Sequence, residues 1–192
     1  MDLLKLVKEN ISEHNKLFNN FEDKLILDIV KAGKLIADGL KKEATIFWCG
    51  NGGSSSDAQH LNAELVGRFK KNRKPLRSLA LNSDTAVITS ISNDFDYSNI
   101  YARQIEALAK ENDILVGIST SGNSKNIIKA FEVASKLNLT NIGLLGKNGG
   151  MSLSKCQYNI LIPSYSTARI QECHIMIGHI ICDIIESELG LN

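Results

Sequence analysis

The chain has 192 residues, of which 43% are hydrophobic and 22% charged, the composition of an ordinary globular protein. This length fits one domain with a substantial buried core. The formal net charge is +1, so no overall field favours nucleic acid or an anionic membrane as a partner.

The cysteines and the first residues indicate where the protein works. Four cysteines, at positions 49, 156, 173 and 182, show neither paired spacing nor a Cys-x-x-Cys motif, which predicts free thiols in a reducing compartment. The first ten residues are amphipathic and charged, typical of neither a secretory signal nor a membrane span. We therefore expect a cytoplasmic protein.

Residues 2–42 predict a helical arm. They contain no proline, and apolar residues recur at helical spacing in two stripes, with a break near Asn19-Asn20. Two such helices carry more apolar surface than is needed to pack against the rest of their own subunit. We expect the arm to pack against another subunit.

Beyond the arm, apolar runs alternate with helical patterns. The runs predict five strands, at Thr45–Cys49, Arg77–Leu81, Asp113–Ile118, Thr140–Leu145 and Gln157–Ile162. Between and after them we expect a helix after the first strand, a short helix over 83–92, a turn at 93–95, a helix over 97–109, a helix ending near Leu137 and a closing helix over 168–189. This order predicts an α/β fold, a doubly wound five-stranded parallel sheet flanked by helices. No repeat or linker divides the chain, so we expect a single domain over 1–192.

A basic cluster separates the first two strands. It comprises Lys70, Lys71, Arg73, Lys74 and Arg77. Runs of this kind are usually solvated, so we interpret it as an exposed loop.

Two polar turns follow buried strands, where ligands bind in doubly wound sheets. The first is Gly50-Asn51-Gly52-Gly53, whose glycines permit a positive φ and close approach of a ligand. One of Ser54, Ser55 and Ser56 is expected to cap the next helix, with Asp57 in its first turn.

The second turn is rich in hydroxyl groups. Ser119-Thr120-Ser121-Gly122-Asn123-Ser124 lies between a strand and a helix start, where hydroxyls and helix N–H groups bind phosphate. The turn contains no lysine or arginine, which favours a phosphomonoester over a triphosphate. Ser55 stands where a dinucleotide fingerprint requires glycine, and there is no P-loop. We interpret Gly146–Gly150 as a plain loop.

Two regions hold residues suited to metal or acid–base chemistry. His60 and Glu64 are four positions apart, hence on one helix face. The closing helix carries Gln171, Glu172, His174 and His179. Two nitrogens and two oxygens from these regions would suit zinc, but spacing alone does not choose between His174 and His179.

Several groups of residues occur here in one combination. They are Gly50–Ser54 with Asp57-Ala58, His60, Glu64 and Gly67-Arg68; Asn93–Phe95; Gly117–Ser124; and Arg169–Glu172 with His174 and His179. Together they resemble the phosphoheptose isomerases, a branch of the sugar isomerase (SIS) domain family, over essentially the whole chain. The serine-rich turn marks the wider family, whereas the set His60, Glu64, Gln171 and His179 is the specific part.

The resemblance implies roles for particular residues. It implies one zinc ion per subunit, held by His60, Glu64, Gln171 and His179, and so favours His179 over His174. It implies substrate contacts from Asn51, Gly52, Gly53, Glu64, Asn93, Asp94, Ser119, Thr120, Ser121, Ser124 and Gln171, with Arg68 as a weaker candidate. It also implies a cytoplasmic homotetramer with active sites at subunit interfaces, which suits the helical arm.

The implied reaction converts sedoheptulose 7-phosphate into D-glycero-D-manno-heptose 7-phosphate, the first step towards activated heptose for lipopolysaccharide or capsule. A proton must move between C1 and C2 through an enediol. Our hypothesis is that Glu64 removes the carbon-bound proton and His179 is the partner acid–base. Zinc would polarise the sugar oxygens, although a carboxylate bound to metal is a poorer base.

Two other functions stay open. Relatives of the family act as tetrameric adaptors that bind the bacterial replication initiator without catalysis, but the presence of Glu64 and His179 argues against that role. Another SIS activity, an isomerase or a regulatory domain for a different sugar phosphate, would need only the phosphate turn. The metal-ligand set argues against it.

Overall fold

A five-stranded parallel sheet forms the centre of the molecule. The computed structural model describes residues 2–191, and its strands are β1 (Ile46–Gly50), β2 (Ser78–Ala80), β3 (Ile114–Ser119), β4 (Thr140–Gly146) and β5 (Tyr158–Ile162). Their order is β2-β1-β3-β4-β5, and every neighbouring pair is parallel. In the central pair, Gly50 at the end of β1 lies opposite Ile118 of β3. The two polar turns therefore leave the sheet side by side.

Helices cover both faces of this sheet. They are α1 (Leu3–Asn19), α2 (Asp23–Lys41), α3 (Gly53–Val66), α4 (Thr85–Asp94), α5 (Ala102–Leu108), α6 (Lys125–Lys136) and α7 (Thr167–Glu188), with short 3₁₀ turns at Tyr97–Asn99 and Gly150–Ser154. Within the described part of the chain, no helix combines the length and the apolar character needed to cross a membrane.

The core has two layers, one on each face. Ile46 and Trp48 of β1 point towards α2, α3 and α7, whereas Phe47 and Cys49 point towards α5 and α6. This alternation explains why the strands are continuous apolar runs, since both faces are buried. The predicted doubly wound α/β fold is confirmed.

The arm differs from the other helices in its burial. No residue of α1 is buried, although Leu17 and Phe18 at its end pack against the core. His14 Nδ1 lies 2.6 Å from Glu172 Oε2 on α7, and Arg169 donates to the Asn10 carbonyl oxygen at 2.6 Å. The end of α1 is thus fastened to α7, and the contact of the arm with another subunit stays a prediction.

Three local predictions were wrong. Residues 93 and 94 end α4 rather than forming a turn. The helix expected over 97–109 is divided into a 3₁₀ turn at Tyr97–Asn99, capped by the Asp96 carboxylate through the Ser98 N–H, and α5, which begins at Ala102.

The start of α3 is the third correction. Its N-cap is Gly52, with no side-chain cap, rather than a serine. Gly52 has φ +56° and its carbonyl accepts from the N–H of Ser55 and Ser56. Helix geometry therefore begins two residues earlier than even a Ser54 cap would allow, and Asp57 is the fifth helical residue rather than part of the first turn.

Candidate active site

The glycine turn after β1 brings the backbone close to two neighbouring elements. A Cβ at Gly50 would lie 2.3 Å from the Ser54 carbonyl oxygen, and one at Gly53 would lie 2.5 Å from Gln171 Nε2. Any larger residue would therefore displace the turn or Gln171. The turn is closed tightly at one edge and open at Gly52, which has no neighbour within 4 Å of an added Cβ.

Asn51 is fixed by a network that joins both polar turns. Its side-chain amide exchanges two hydrogen bonds of 2.9 Å with Asn126, in the first turn of α6. Its Oδ1 also accepts from the Tyr97 and Tyr101 hydroxyls at 3.2 and 3.3 Å. Asn126 is 2% exposed. The glycine turn and the start of α6 are thus held as one unit.

Three side chains capable of binding metal meet between α3 and α7. His60 Nε2 lies 3.1 Å from Glu64 Oε1 and 3.4 Å from His179 Nε2. Ligand atoms of all three lie within 4.8 Å of one another. Two imidazole nitrogens and one carboxylate oxygen are a donor set of open catalytic zinc sites, so these residues fit the metal.

Close packing of the two helices produces this meeting. Gly53 faces Gln171 and Leu61 faces Gly178, so α3 and α7 run side by side in the same direction. A Cβ at Gly178 would lie 2.5 Å from Leu61 Cδ2, and this close contact places His179 beside His60. The Phe69 ring also stacks on His179, with 5.7 Å between the ring centroids.

The other polar residues of α7 lie elsewhere. His174 is fully buried in the core, away from solvent. Gln171 lies against Gly53, and the rise of a helix separates it from His179 by about 12 Å along the axis. Gln171 is therefore placed at the glycine turn, and its role as a metal ligand stays a prediction.

The hydroxyl-rich turn is internally braced. Ser119 Oγ accepts from the Gly122 N–H at 3.0 Å and lies 3.5 Å from Ser124 Oγ. Ser124 is the N-cap residue of α6 without a side-chain cap bond. The hydroxyls of this turn therefore surround the N-terminus of a helix, an arrangement suited to phosphate.

The loop at Gly146–Gly150 and the 3₁₀ turn that follows it contact the hydroxyl-rich turn. The Ser152 N–H donates to the Gly122 carbonyl at 2.8 Å, and the Met151 N–H donates to Asn123 Oδ1 at 3.0 Å. A Cβ at Gly122 would lie 1.9 Å from the Gly149 carbonyl oxygen. This segment shapes the hydroxyl-rich turn, so it is more than a plain loop.

The remaining predicted contacts lie at the exposed border. Asn93 Nδ2 donates to Asp94 Oδ1 at 2.8 Å, and both residues are exposed at the end of α4. Tyr97, three residues further on, reaches Asn51, which places this segment beside the glycine turn. Arg68 is exposed just beyond the end of α3.

One carboxylate in α3 has an unusual environment. Burial raises the pKa of Asp57 to about 6, and His60 partly offsets the effect. Among residues 2–191, its Oδ2 is buried without a hydrogen-bond partner. Asp57 therefore has a free acceptor one helical turn before His60.

Known proteins are similar to this chain in both sequence and fold. Residues 10–146 match the SIS domain family. Over 184 residues the chain is 48% identical to a phosphoheptose isomerase of Campylobacter jejuni serotype O:6, covering 96% of this chain and 98% of the relative. The chain belongs to the phosphoheptose isomerase family. The resemblance inferred from the motifs is confirmed.

Solved phosphoheptose isomerase structures superpose on nearly the whole chain. The enzyme from Neisseria gonorrhoeae gives a TM-score of 0.91 at 37% identity and covers 96% of this chain and 99% of its own. That from Francisella tularensis gives 0.94 at 35% identity, covering 97% and 100%. The helical arm and both polar turns therefore lie within the fold shared by the phosphoheptose isomerase family.

Some residues that shape the candidate active site were not predicted from the sequence. Asn126, Tyr97 and Tyr101 hold Asn51, and Phe69 contacts His179. Each acts on a partner distant in the chain, so periodicity carries no signal for it. Asn126 was the one most open to prediction, as a polar residue in an otherwise apolar stripe of α6.

Proposed function

We propose that this protein is a phosphoheptose isomerase that converts sedoheptulose 7-phosphate into D-glycero-D-manno-heptose 7-phosphate. The observation that carries the proposal is the meeting of His60, Glu64 and His179. The helices that carry these residues also meet at the glycine turn, which Asn51 joins to the start of α6. The relatives named phosphoheptose isomerase support the choice of substrate.

The hydroxyl-rich turn binds the phosphate end of the sugar. Ser119, Thr120, Ser121 and Ser124 surround the start of α6, where helix N–H groups attract an anion. Asn51, Gly52, Gly53 and Gln171 border the path from this turn to the metal ligands, and Asn93 and Asp94 lie at its exposed border. These residues orient the sugar hydroxyls.

His60, Glu64 and His179 would hold one zinc ion per subunit, with Gln171 as a further ligand of the family pattern. When bound, zinc supplies a Lewis acid that polarises the sugar oxygens. Two imidazole nitrogens and a carboxylate oxygen are a donor set found at catalytic zinc sites.

Two of these side chains handle protons. Glu64 removes the carbon-bound proton between C1 and C2, and His179 exchanges protons with the sugar oxygens as partner acid–base. The Glu64 carboxylate is 21% exposed and shares His60 through one oxygen at 3.1 Å. Its second oxygen makes no hydrogen bond among the described residues and is the atom that would take the proton.

The assembly and the setting belong to the same proposal. Exposed apolar residues along α1, among them Leu3, Val7 and Ile11, suit a homotetramer in which the arm contacts a neighbouring subunit. We place the enzyme in the cytoplasm, in keeping with its unpaired cysteines, and its product in the synthesis of activated heptose for lipopolysaccharide or capsule. The adaptor role and a different sugar phosphate are not favoured, because the relatives named above are phosphoheptose isomerases.

Nuclear magnetic resonance of the purified protein with sedoheptulose 7-phosphate tests the proposal. We expect aldoheptose 7-phosphate signals that disappear after chelation and return with zinc. Product that persists after exhaustive metal removal would contradict the catalytic zinc. A folded protein that forms no product would contradict the isomerase itself.

A further inference from the structure

A buried ion pair links α7 to the segment that follows α3. Arg73 places Nε 2.8 Å from Glu186 Oε1, and the two side chains are 2% and 0% exposed. Glu186 lies seven residues after His179 on α7, which corresponds to about two helical turns. The pair is therefore anchored to the helix that carries His179.

The same guanidinium also binds the end of α3. Nη2 donates to the carbonyl oxygen of Glu64 at 2.6 Å, and Nη1 donates to that of Leu65 at 2.8 Å. The last carbonyls of a helix lack partners within it, and α3 has no basic residue in its own last turn. The Leu65 carbonyl also accepts from the Leu76 N–H at 3.0 Å, whereas Arg73 supplies the donor for the Glu64 carbonyl and so holds the backbone of Glu64 directly.

Stability alone does not account for a pair of buried charges. Desolvation of two charges consumes much of their attraction, and apolar side chains of similar volume fill such a site equally well. The planar guanidinium instead donates in fixed directions, which an ammonium group does not. What Arg73 adds is a fixed position of the last turn of α3 relative to α7.

A second ion pair between the same segment and α7 offers a control. Lys70 Nζ lies 2.6 Å from Asp183 Oδ2, but these side chains are 58% and 42% exposed. The Lys70 side chain makes no hydrogen bond to α3 among the described residues. Loss of this pair removes a tie to α7 without releasing the carbonyl of Glu64.

We propose that Arg73 and Glu186 are a positioning pair that sets the separation of Glu64 from His179 in the metal site. Neither residue touches substrate; the pair acts through the backbone of Glu64 and through α7. The inference rests on the proposed function, because it assumes that Glu64 and His179 bind one metal ion.

Zinc affinity measured by competition with a chromophoric chelator tests the pair in the full-length protein. We expect Arg73→Lys and Glu186→Gln to keep the far-ultraviolet circular dichroism of the wild type and to weaken zinc binding about 10–100-fold, as loss of supporting contacts around metal ligands does. Asp183→Asn, the matched control, should stay within about twofold of wild type because exposed pairs contribute little. With saturating zinc, kcat should fall in the first two variants while KM for the sugar phosphate changes little.

A double variant covers the case in which a single one fails to fold. Arg73→Met with Glu186→Leu fills the same space without charge, and weakened zinc binding in this folded protein supports the proposal. Wild-type zinc affinity in the folded variants, or equal weakening in Asp183→Asn, would overturn it. A wild-type protein that neither binds zinc nor turns over would overturn the proposed function and this inference together, whereas failure confined to the variants' predicted effect overturns only the inference.

Discussion

Gly178 on α7 and Leu61 on α3 lie so close that a Cβ at position 178 would be 2.5 Å from Leu61 Cδ2. This contact sets the distance between the helices that carry His179 and His60. We expect Gly178→Ala to push the helices apart, to destabilise the protein by about 1–3 kcal/mol as overpacking does, and to weaken zinc binding. Calorimetry and a zinc titration measure the two effects.

A second substitution, in the partner helix α3, provides the control for Gly178→Ala. Adding Leu61→Val to Gly178→Ala should recover part of the zinc affinity, since the shorter side chain makes room for the added methyl group. A Gly178→Ala protein with wild-type zinc affinity would show that this contact does not position the histidines.

Glu64→Gln tests the proposed base. The amide keeps the volume of the side chain and one oxygen able to face His60, but it cannot accept the carbon-bound proton. We expect kcat to fall about 10²–10⁴-fold, measured as product formation with zinc content determined on the same sample. Near-normal turnover with intact zinc and folding would reject Glu64 as the base.

The fold could be predicted from the sequence because strands buried on both faces of a sheet consist of continuous apolar residues. All five strands were located, and the four-residue spacing of His60 and Glu64 predicted their shared face. Elements began at unexpected residues where a single residue decided the geometry. Gly52, with its positive φ, starts α3 early, and the Asp96 carboxylate caps a 3₁₀ turn at the start of the segment expected to be one helix.

The support around the site could not be predicted in the same way. Arg73 belongs to a basic cluster whose composition indicates a solvated loop, yet its side chain is 2% exposed. Its partner Glu186 is 113 positions away, and nothing local in either sequence announces the pair. Contacts of this kind depend on how the helices pack, so periodicity and local spacing do not reveal them.

His174 predicts a pH dependence of stability. Burial lowers the pKa of His174 to about 4, and the Leu145 backbone opposes this shift slightly. Neither ring nitrogen has a hydrogen-bond partner of normal geometry among the described residues. An unfolded histidine titrates near 6.5, so the unfolded state binds a proton first as the pH falls. The free energy of unfolding should therefore drop between about pH 6.5 and 4, by an amount on the order of 3 kcal/mol from this residue.

Replacing His174 by leucine removes this titration. Urea unfolding of metal-free wild type and His174→Leu at pH 7.5 and pH 4.5 should show a smaller loss of stability for the variant. The same loss in both proteins would mean that His174 is not the group responsible.

The exposed stripe on α1 predicts how assembly responds to charge. Val7 and Ile11 are 55% and 56% exposed, and a buried lysine at an interface is costly. We expect Val7→Lys to dissociate the proposed tetramer, measured by light scattering after size exclusion. Glu9→Gln, on the opposite face of α1, makes the same change of charge, one unit more positive, and should leave the assembly intact. If both variants dissociate the tetramer, or neither does, the arm is not part of the interface.

Thr120 tests the phosphate turn. The hydroxyls of Ser119 and Ser121 already accept backbone N–H groups, whereas Thr120 is half-buried beside them. A hydrogen bond to a charged group contributes about 1.5–3 kcal/mol, so Thr120→Val should raise KM for the sugar phosphate about 10–100-fold. Thr120→Ser keeps the hydroxyl and should stay near wild type. Turnover of unphosphorylated sedoheptulose, however slow, should be unchanged in both, because only the phosphate uses this group. Equal KM values for the valine and serine variants would place the phosphate elsewhere.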